Sequence, residues 1–171
     1  MRAIARILNM HPAGEKNKES TMRPGKQMKT TGLDQILLAK IVLTIAVLQY
    51  GLIPPIVDLT ESHVFHSNWP GHARFHMVWL LCIGSTLAAY VLTLIWAPAA
   101  NRTIHLKHAS VLGCIVLAGF FAATLTLSSY GGTLSDPLHQ ILILGIDGNL
   151  VSFSVAGLLQ CLGAFLIWRA P

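Results

Sequence analysis

The chain has 171 residues and a net charge of +5, with 53% apolar and 11% charged residues, against about a quarter charged in an ordinary soluble domain. Its basic residues Arg2, Arg6, Lys16, Lys18, Arg23, Lys26 and Lys29 precede the first apolar block without an interleaved aromatic ring, which excludes a base-stacking nucleic-acid platform. Cys82, Cys114 and Cys161 fall in three different apolar blocks with no C-x-x-C spacing, which excludes a disulfide framework and a zinc-finger pattern.

Residues 1–32 read as a basic, poorly ordered cytoplasmic tail rich in Gly, Pro, Lys and Ser. The tail has no continuous apolar segment of the kind a secretory signal needs, and Met22 and Met28 are alternative starts of translation. The rest of the chain, 33–171, reads as one membrane domain. Residues 41–57, 77–97, 109–135 and 150–168 carry no charge, Asp58 lying just outside the first block. About 20 helical residues cross a hydrocarbon core of roughly 30 Å, and only a helix satisfies its own backbone groups there. The expected fold is therefore all-α, a bundle of four transmembrane helices over about 34–56, 76–97, 108–128 and 150–168.

Taken in order, the first helix is expected to start near Leu33 or Asp34 with capping help from Thr31, Gly32 and Asp34. Pro54 and Pro55 disturb its end, since neither donates to the helical ladder. After a polar connection over 58–68, Trp69-Pro70 marks the start of the second helix, proline being suited to a first turn, and Pro98 ends it. A short basic connection over 99–107 leads to the third helix. The segment 138–168 is too long for one straight span, at about 46 Å. An aspartate near the midplane costs about 2.5–3.5 kcal/mol, so Asp147-Gly148-Asn149 is expected to break it. That leaves 138–146 as a short interfacial helix ahead of the last span. Small residues one turn apart, Gly84/Ala88 and Ser85/Ala89 on the second helix and Ala118/Ala122 and Gly119/Ala123 on the third, let backbones approach closely. They suit either a contact within one chain or an oligomer.

Orientation follows from the basic residues. With the amino terminus inside, eleven of the twelve fall on the cytoplasmic side and only Arg74 faces out, a strong positive-inside bias. Both termini are expected in the cytoplasm, and the membrane is taken as a bacterial inner membrane.

The outer side then gathers five of the eight histidines. His72 and His76, at i and i+4 on one helix face, have the spacing by which two imidazoles chelate a metal. His63 and His66 are the candidate third ligands from the connection. Asp58 and Glu61 are the candidate catalytic carboxylates, as ligand, ring-orienting partner or proton acceptor. His139 and Asp147 are placed to close the site from the opposite side. Imidazole with carboxylate suits zinc, iron, copper or manganese. The bland counterpart is a His–carboxylate network that ties an interfacial loop to the bundle. Arg74, about 200° round the helix from His72, is expected to reach lipid phosphate. Trp69, Trp79, Trp96 and Trp168 are expected in an interfacial aromatic belt.

The string Trp69-Pro-Gly-His72-Ala-Arg74-Phe-His76 resembles the W-x-x-H-A-[RK]-F-H segment of a family of small four-helix membrane proteins of unknown function. Ser67-Asn68 stands where that family carries an asparagine–proline pair, without the proline. The resemblance implies a fold and no activity. Membrane di-iron desaturases are similar in outline only, because they also carry H-x-x-H-H boxes, which this chain lacks. These features lead to an expected metal-dependent enzyme acting on a lipophilic small molecule, with two alternatives. One is a non-enzymatic accessory or metal-handling membrane protein. The other is a metal-free, sterol-isomerase-like enzyme in which a His–carboxylate pair moves protons.

Overall fold

The computed structural model describes residues 27–136 and 139–170; the expectation for residues 1–26 lies outside them. Helix α1, Gln27–Gly51, begins ahead of the expected start and runs through Thr31, Gly32 and Asp34 instead of being capped by them. Pro54 and Pro55 interrupt the ladder as anticipated, but only for one residue. Helix α2, Ile53–Asp58, resumes with proline in its first turn, and Leu52 still donates its N–H to the Leu48 carbonyl at 2.9 Å. The two pieces form one apolar rod over Asp34–Asp58. Helix α3, Gly71–Trp96, follows Pro70 and stops before Pro98.

Helix α4, Arg102–Leu125, starts earlier than the hydropathy suggested because Asn101 caps it, its Oδ1 accepting the Ile104 N–H at 3.2 Å. A one-turn helix α5, Leu127–Tyr130, closes on Gly131 in the left-handed conformation, φ 69°. Helix α6, Gly148–Arg169, begins at the anticipated break, with Asp147 as its N-cap.

The segment expected as a short interfacial helix is corrected by the structure. Strands β1, Leu142–Ile143, and β2, Ile146–Asp147, form an antiparallel hairpin there. Three β-branched isoleucines, at 141, 143 and 146, and a Leu144-Gly145 turn with φ of 53° and 80° suit a tight two-residue connection better than a helix. Leu144 is 99% exposed in a conformation that favours Asn or Gly. In water that is unfavourable on both counts; beside a bilayer the exposure ceases to cost.

Four rods, Asp34–Asp58, α3, α4 and α6, are each long and apolar enough to cross a membrane, and they pack antiparallel in a ring, α1–α3–α4–α6. At the end that holds the start of α1 and the end of α6, Gln35 donates to the Leu166 carbonyl at 2.9 Å. Lys40 lies over Trp96 and Lys107 over Trp168, each 4.7 Å from the ring centroid. At the opposite, loop end, Gln49 reaches the Ser152 hydroxyl at 2.8 Å, and the rings of Phe120 and Phe153 stack at 3.9 Å. Leu43, Val47, Val91, Ile95, Leu106 and Ile167 fill the centre. Outward-facing Leu80, Ile115 and Leu158 are more than half exposed, as lipid contact requires. The molecule is an integral membrane protein by this architecture.

Close crossings depend on missing side chains. A Cβ on Gly51 would stand 2.1 Å from the Ala88 Cβ, one on Gly113 would strike the Gln160 amide, and one on Gly163 would strike Leu43. The Ser85/Ala88 ridge of α3 thus serves the contact with α1, where Ser85 Oγ also donates to the Gly51 carbonyl at 3.0 Å. The α4 ridge is left on the outside: Ala118, Gly119 and Ala122 are exposed. Buried Gln160 hydrogen-bonds across to α4, donating to the Ser110 carbonyl at 2.8 Å.

Candidate functional site

The loop end of the bundle is built around the connection between α2 and α3. Val64, 3% exposed, pins the turn to the bundle, its N–H donating to the Asp58 carbonyl at 3.0 Å, while Phe65 donates to the Thr60 carbonyl at 3.0 Å. Arg74 turns back and donates to the carbonyls of His66 at 2.7 Å and Ser67 at 3.5 Å. It holds the connection down and does not take the lipid-phosphate position expected of it, because two carbonyls of the connection lie within its reach.

This turn selects the ring nitrogen that carries the proton in a neutral His63. Thr60 Oγ1 donates to the Val57 carbonyl at 2.8 Å, Ser62 Oγ and Thr60 Oγ1 are 2.9 Å apart, and Ser62 Oγ and His63 Nδ1 are 2.9 Å apart. A hydroxyl carries one proton. Thr60 spends its proton on Val57, so Ser62 must donate to Thr60, and His63 Nδ1–H must donate to Ser62. Only that arrangement satisfies all three bonds. The neutral ring therefore presents an unprotonated Nε2, which faces Asp58 Oδ1 at 3.8 Å. Two acceptors oppose one another across a gap that a proton or an incoming donor would fill.

Both groups line a cleft of about 720 Å³, within the range of small-molecule sites. Its apolar walls are Ile53, Pro54 and Val57 from α2, Met77 from α3, Phe120 and Ala123 from α4 and Phe153 from α6. Its polar lining is Asp58, Ser62, His63 and His66 on one side and Ser135, Asp136, Asn149 and Ser152 on the other, with Gln49 and Trp69 between. The far rim is organised by Asp147. One of its carboxylate oxygens accepts the Asn149 N–H at 2.9 Å, and the other accepts the Ser135 hydroxyl at 2.6 Å and Gln140 at 3.3 Å. These bonds, the Ser135 hydroxyl first, hold the Asp147 carboxyl below the usual carboxylate range. Asn149 in turn donates to the Leu134 carbonyl at 2.8 Å, and His139 Nδ1 stands 2.8 Å from Asp136 Oδ2.

The expected single cluster is divided by this geometry. Asp58, His63 and His66 meet in the cleft. His139 pairs with Asp136 at the rim, and Glu61 is exposed. His72 and His76 stand on the exposed face of α3, their Nε2 atoms 3.0 Å apart and the His76 ring beside Phe75 and Trp79. The reason lies in the helix period: Arg74 and Met77, three apart, share the inward face, and both histidines lie about 200° from Arg74. Among the described residues no three His, Cys, Asp or Glu side chains form a group able to hold a metal. The third donor expected to join His72 and His76 from His63, His66, Glu61 or His139 is not beside them.

Gln49, Trp69, Asn149 and Ser152 were not singled out from the sequence as site residues. Gln49 was the detectable one, an amide inside an otherwise apolar span, where polar side chains serve helix contacts or sites. Trp69, assigned to the aromatic belt, is half-buried in the cleft instead.

The fold and its cleft define a four-span helical membrane protein with a polar-mouthed site at the loop end. Residues 41–165 match the model of the family of unknown function DUF6640, and the chain belongs to that family. The match takes in the entire cleft and the Trp69–His76 string. Comparison with curated proteins and with solved structures gives no match.

Proposed function

We propose that the protein holds a lipophilic small molecule in the loop-end cleft and exchanges a proton with it through His63 and Asp58. The observation that carries this reading is the meeting, in one cleft, of apolar walls from α2, α3, α4 and α6 with the Asp58–His63 pair. The apolar body of the ligand would lie against Val57, Phe120 and Phe153, and its polar head against the pair. The exposed lone pair of His63 Nε2 is the proton acceptor, and Asp58 stabilises the imidazolium that results, the arrangement general-base chemistry requires. The charge imbalance of the chain supports a cytoplasmic terminal end and a cleft on the outer side.

A second reading is favoured by the His72–His76 pair. Two nitrogens that share a metal at 2.0–2.1 Å are about 3.0–3.4 Å apart, and these stand at 3.0 Å. Metal handling at that surface would draw its remaining ligands from water or a partner, and is separate from the cleft.

The cleft reading is tested by native mass spectrometry of detergent-purified protein. Wild type is expected to carry a lipophilic adduct that Ala123→Trp, which fills the cleft, does not. Equal adduct occupancy in both would overturn it.

A further inference from the structure

The charges around the cleft point to the kind of head group it accepts, an inference that rests on the cleft reading above. Over residues 58–76 and 127–149 the chain has four carboxylates, Asp58, Glu61, Asp136 and Asp147, and a single basic side chain, Arg74. Two of those carboxylates, Asp58 and Asp136, line the cleft, and among the described residues neither a lysine nor an arginine does. Arg74 lies outside the lining and donates through one terminal nitrogen to the His66 and Ser67 carbonyls. Among the described residues, the titratable groups that face the space are thus Asp58, Asp136, His63 and His66. Asp136 already receives His139. His66 Nδ1 accepts the Asn68 N–H at 3.2 Å, so its neutral ring carries its proton on Nε2. His63 Nε2 and Asp58 Oδ1, both acceptors, are left facing one another.

A carboxylate or phosphate head would meet like charge here and find no lysine or arginine among the described lining residues. A protonated amine reverses every term: its N–H groups satisfy His63 Nε2 and Asp58, and its charge is of the sign the lining favours. The aromatic content agrees. Trp69, Phe120 and Phe153 line the same space, and ring faces attract ammonium groups in sites of this kind. We infer that the cleft is a site for a cationic amphiphile, an amine or ammonium head on a lipophilic body.

The experiment uses the full chain in nanodiscs of zwitterionic lipid and three probes that share one alkyl chain: dodecylammonium, dodecanol and dodecanoate. Each is titrated against wild type, Asp58→Asn and the filled-cleft variant Ala123→Trp, the last reporting partition into lipid alone. Dodecylammonium is expected to bind most tightly to wild type. Asp58→Asn, which keeps size and the backbone bond to Val64, is expected to weaken it by roughly tenfold, the loss of one charge-assisted bond. Dodecanol is expected to change by less than about threefold. Should Asp58→Asn fail to fold, as read by helical melting, His63→Gln takes its place with the same expectation. Binding of dodecanoate that is at least as tight and is abolished by Ala123→Trp would overturn the cationic head while leaving the cleft a binding site. Identical binding of all three probes to wild type and Ala123→Trp would overturn the cleft reading itself, and the inference with it.

Discussion

Replacing Gly51 by alanine would put a methyl carbon 2.1 Å from the Ala88 Cβ, where two carbons in contact need about 3.5–4.0 Å. Both atoms are Cβ, so no rotamer relieves the overlap, and α1 and α3 must separate by roughly 1.5 Å at their crossing. Forced overpacking of this kind costs about 1–3 kcal/mol. The Ser85 bond to the Gly51 carbonyl, 3.0 Å in the native crossing, is stretched at the same time, and such a bond within a membrane protein is worth about 0.6 kcal/mol. Gly51→Ala is therefore expected to destabilise by about 2–3 kcal/mol. The assay is reversible unfolding in mixed micelles of increasing dodecyl sulfate content, followed by helical circular dichroism. Gly51→Ala with Ala88→Gly should return to within about 1 kcal/mol of wild type. Gly84→Ala and Gly119→Ala, whose new methyls meet nothing within 4 Å, should stay within about 0.5 kcal/mol. A neutral Gly51→Ala, or a loss that Ala88→Gly does not recover, would refute the crossing. The cleft should feel the change too, because Gln49 and Ile53, on either side of Gly51, line it.

Asp147→Ala removes the N-cap of α6 together with the Ser135 tie, and should cost about 1–2 kcal/mol in the same assay. The folded Asp147 carboxyl lies below its ordinary value of 3.8, so the unfolded chain takes up the proton first. The stability contribution is full above that value and is lost as pH falls through the lower folded one, and Asp147→Asn should remove this part of the acid dependence. If the His72–His76 pair binds a transition metal, elemental analysis should find it in wild type and in Arg74→Ala. It should be absent from His72→Ala or His76→Ala. In a background without native cysteines, an impermeant thiol reagent added to intact cells should label Ser62→Cys and spare Thr103→Cys; the reverse pattern would invert the orientation.

The four spans were legible because charge-free blocks of that length leave the backbone no alternative to a helix in lipid. Their ends were less so. The polar stretch from Arg102 to Lys107 hid the first turns of α4 from hydropathy, although Asn101 supplied an ordinary cap. Asp147 was recognised as a break because burying it is costly. The run before it, six residues of Ile, Leu and Gly, has no period that separates helix from hairpin, and the Leu144-Gly145 turn decided the matter. The site was legible in composition and not in arrangement. Spacing placed His72 and His76 on one face of α3, but not which face. That was settled by Arg74 finding carbonyls to bind and Met77 packing inward. The pairing of Asp58 with His63 depends on a hydroxyl chain through Ser62 and Thr60, which no spacing rule encodes.

The proposed role of the loop-end cleft, with Asp58 and His63 in its lining, is to hold a lipophilic small molecule. It is tested most directly by photolabelling the membrane-embedded protein with diazirine-bearing alkyl amine and alkyl alcohol, and mapping the labelled peptides by mass spectrometry. Label is expected to concentrate on α2, on Trp69 to Met77 and on the start of α6 around Ser152 and Phe153, and to fall sharply in Ala123→Trp. Label spread along the lipid-facing surface in proportion to exposure, with Leu80, Ile115 and Leu158 as prominent as the cleft and no change in Ala123→Trp, would contradict it.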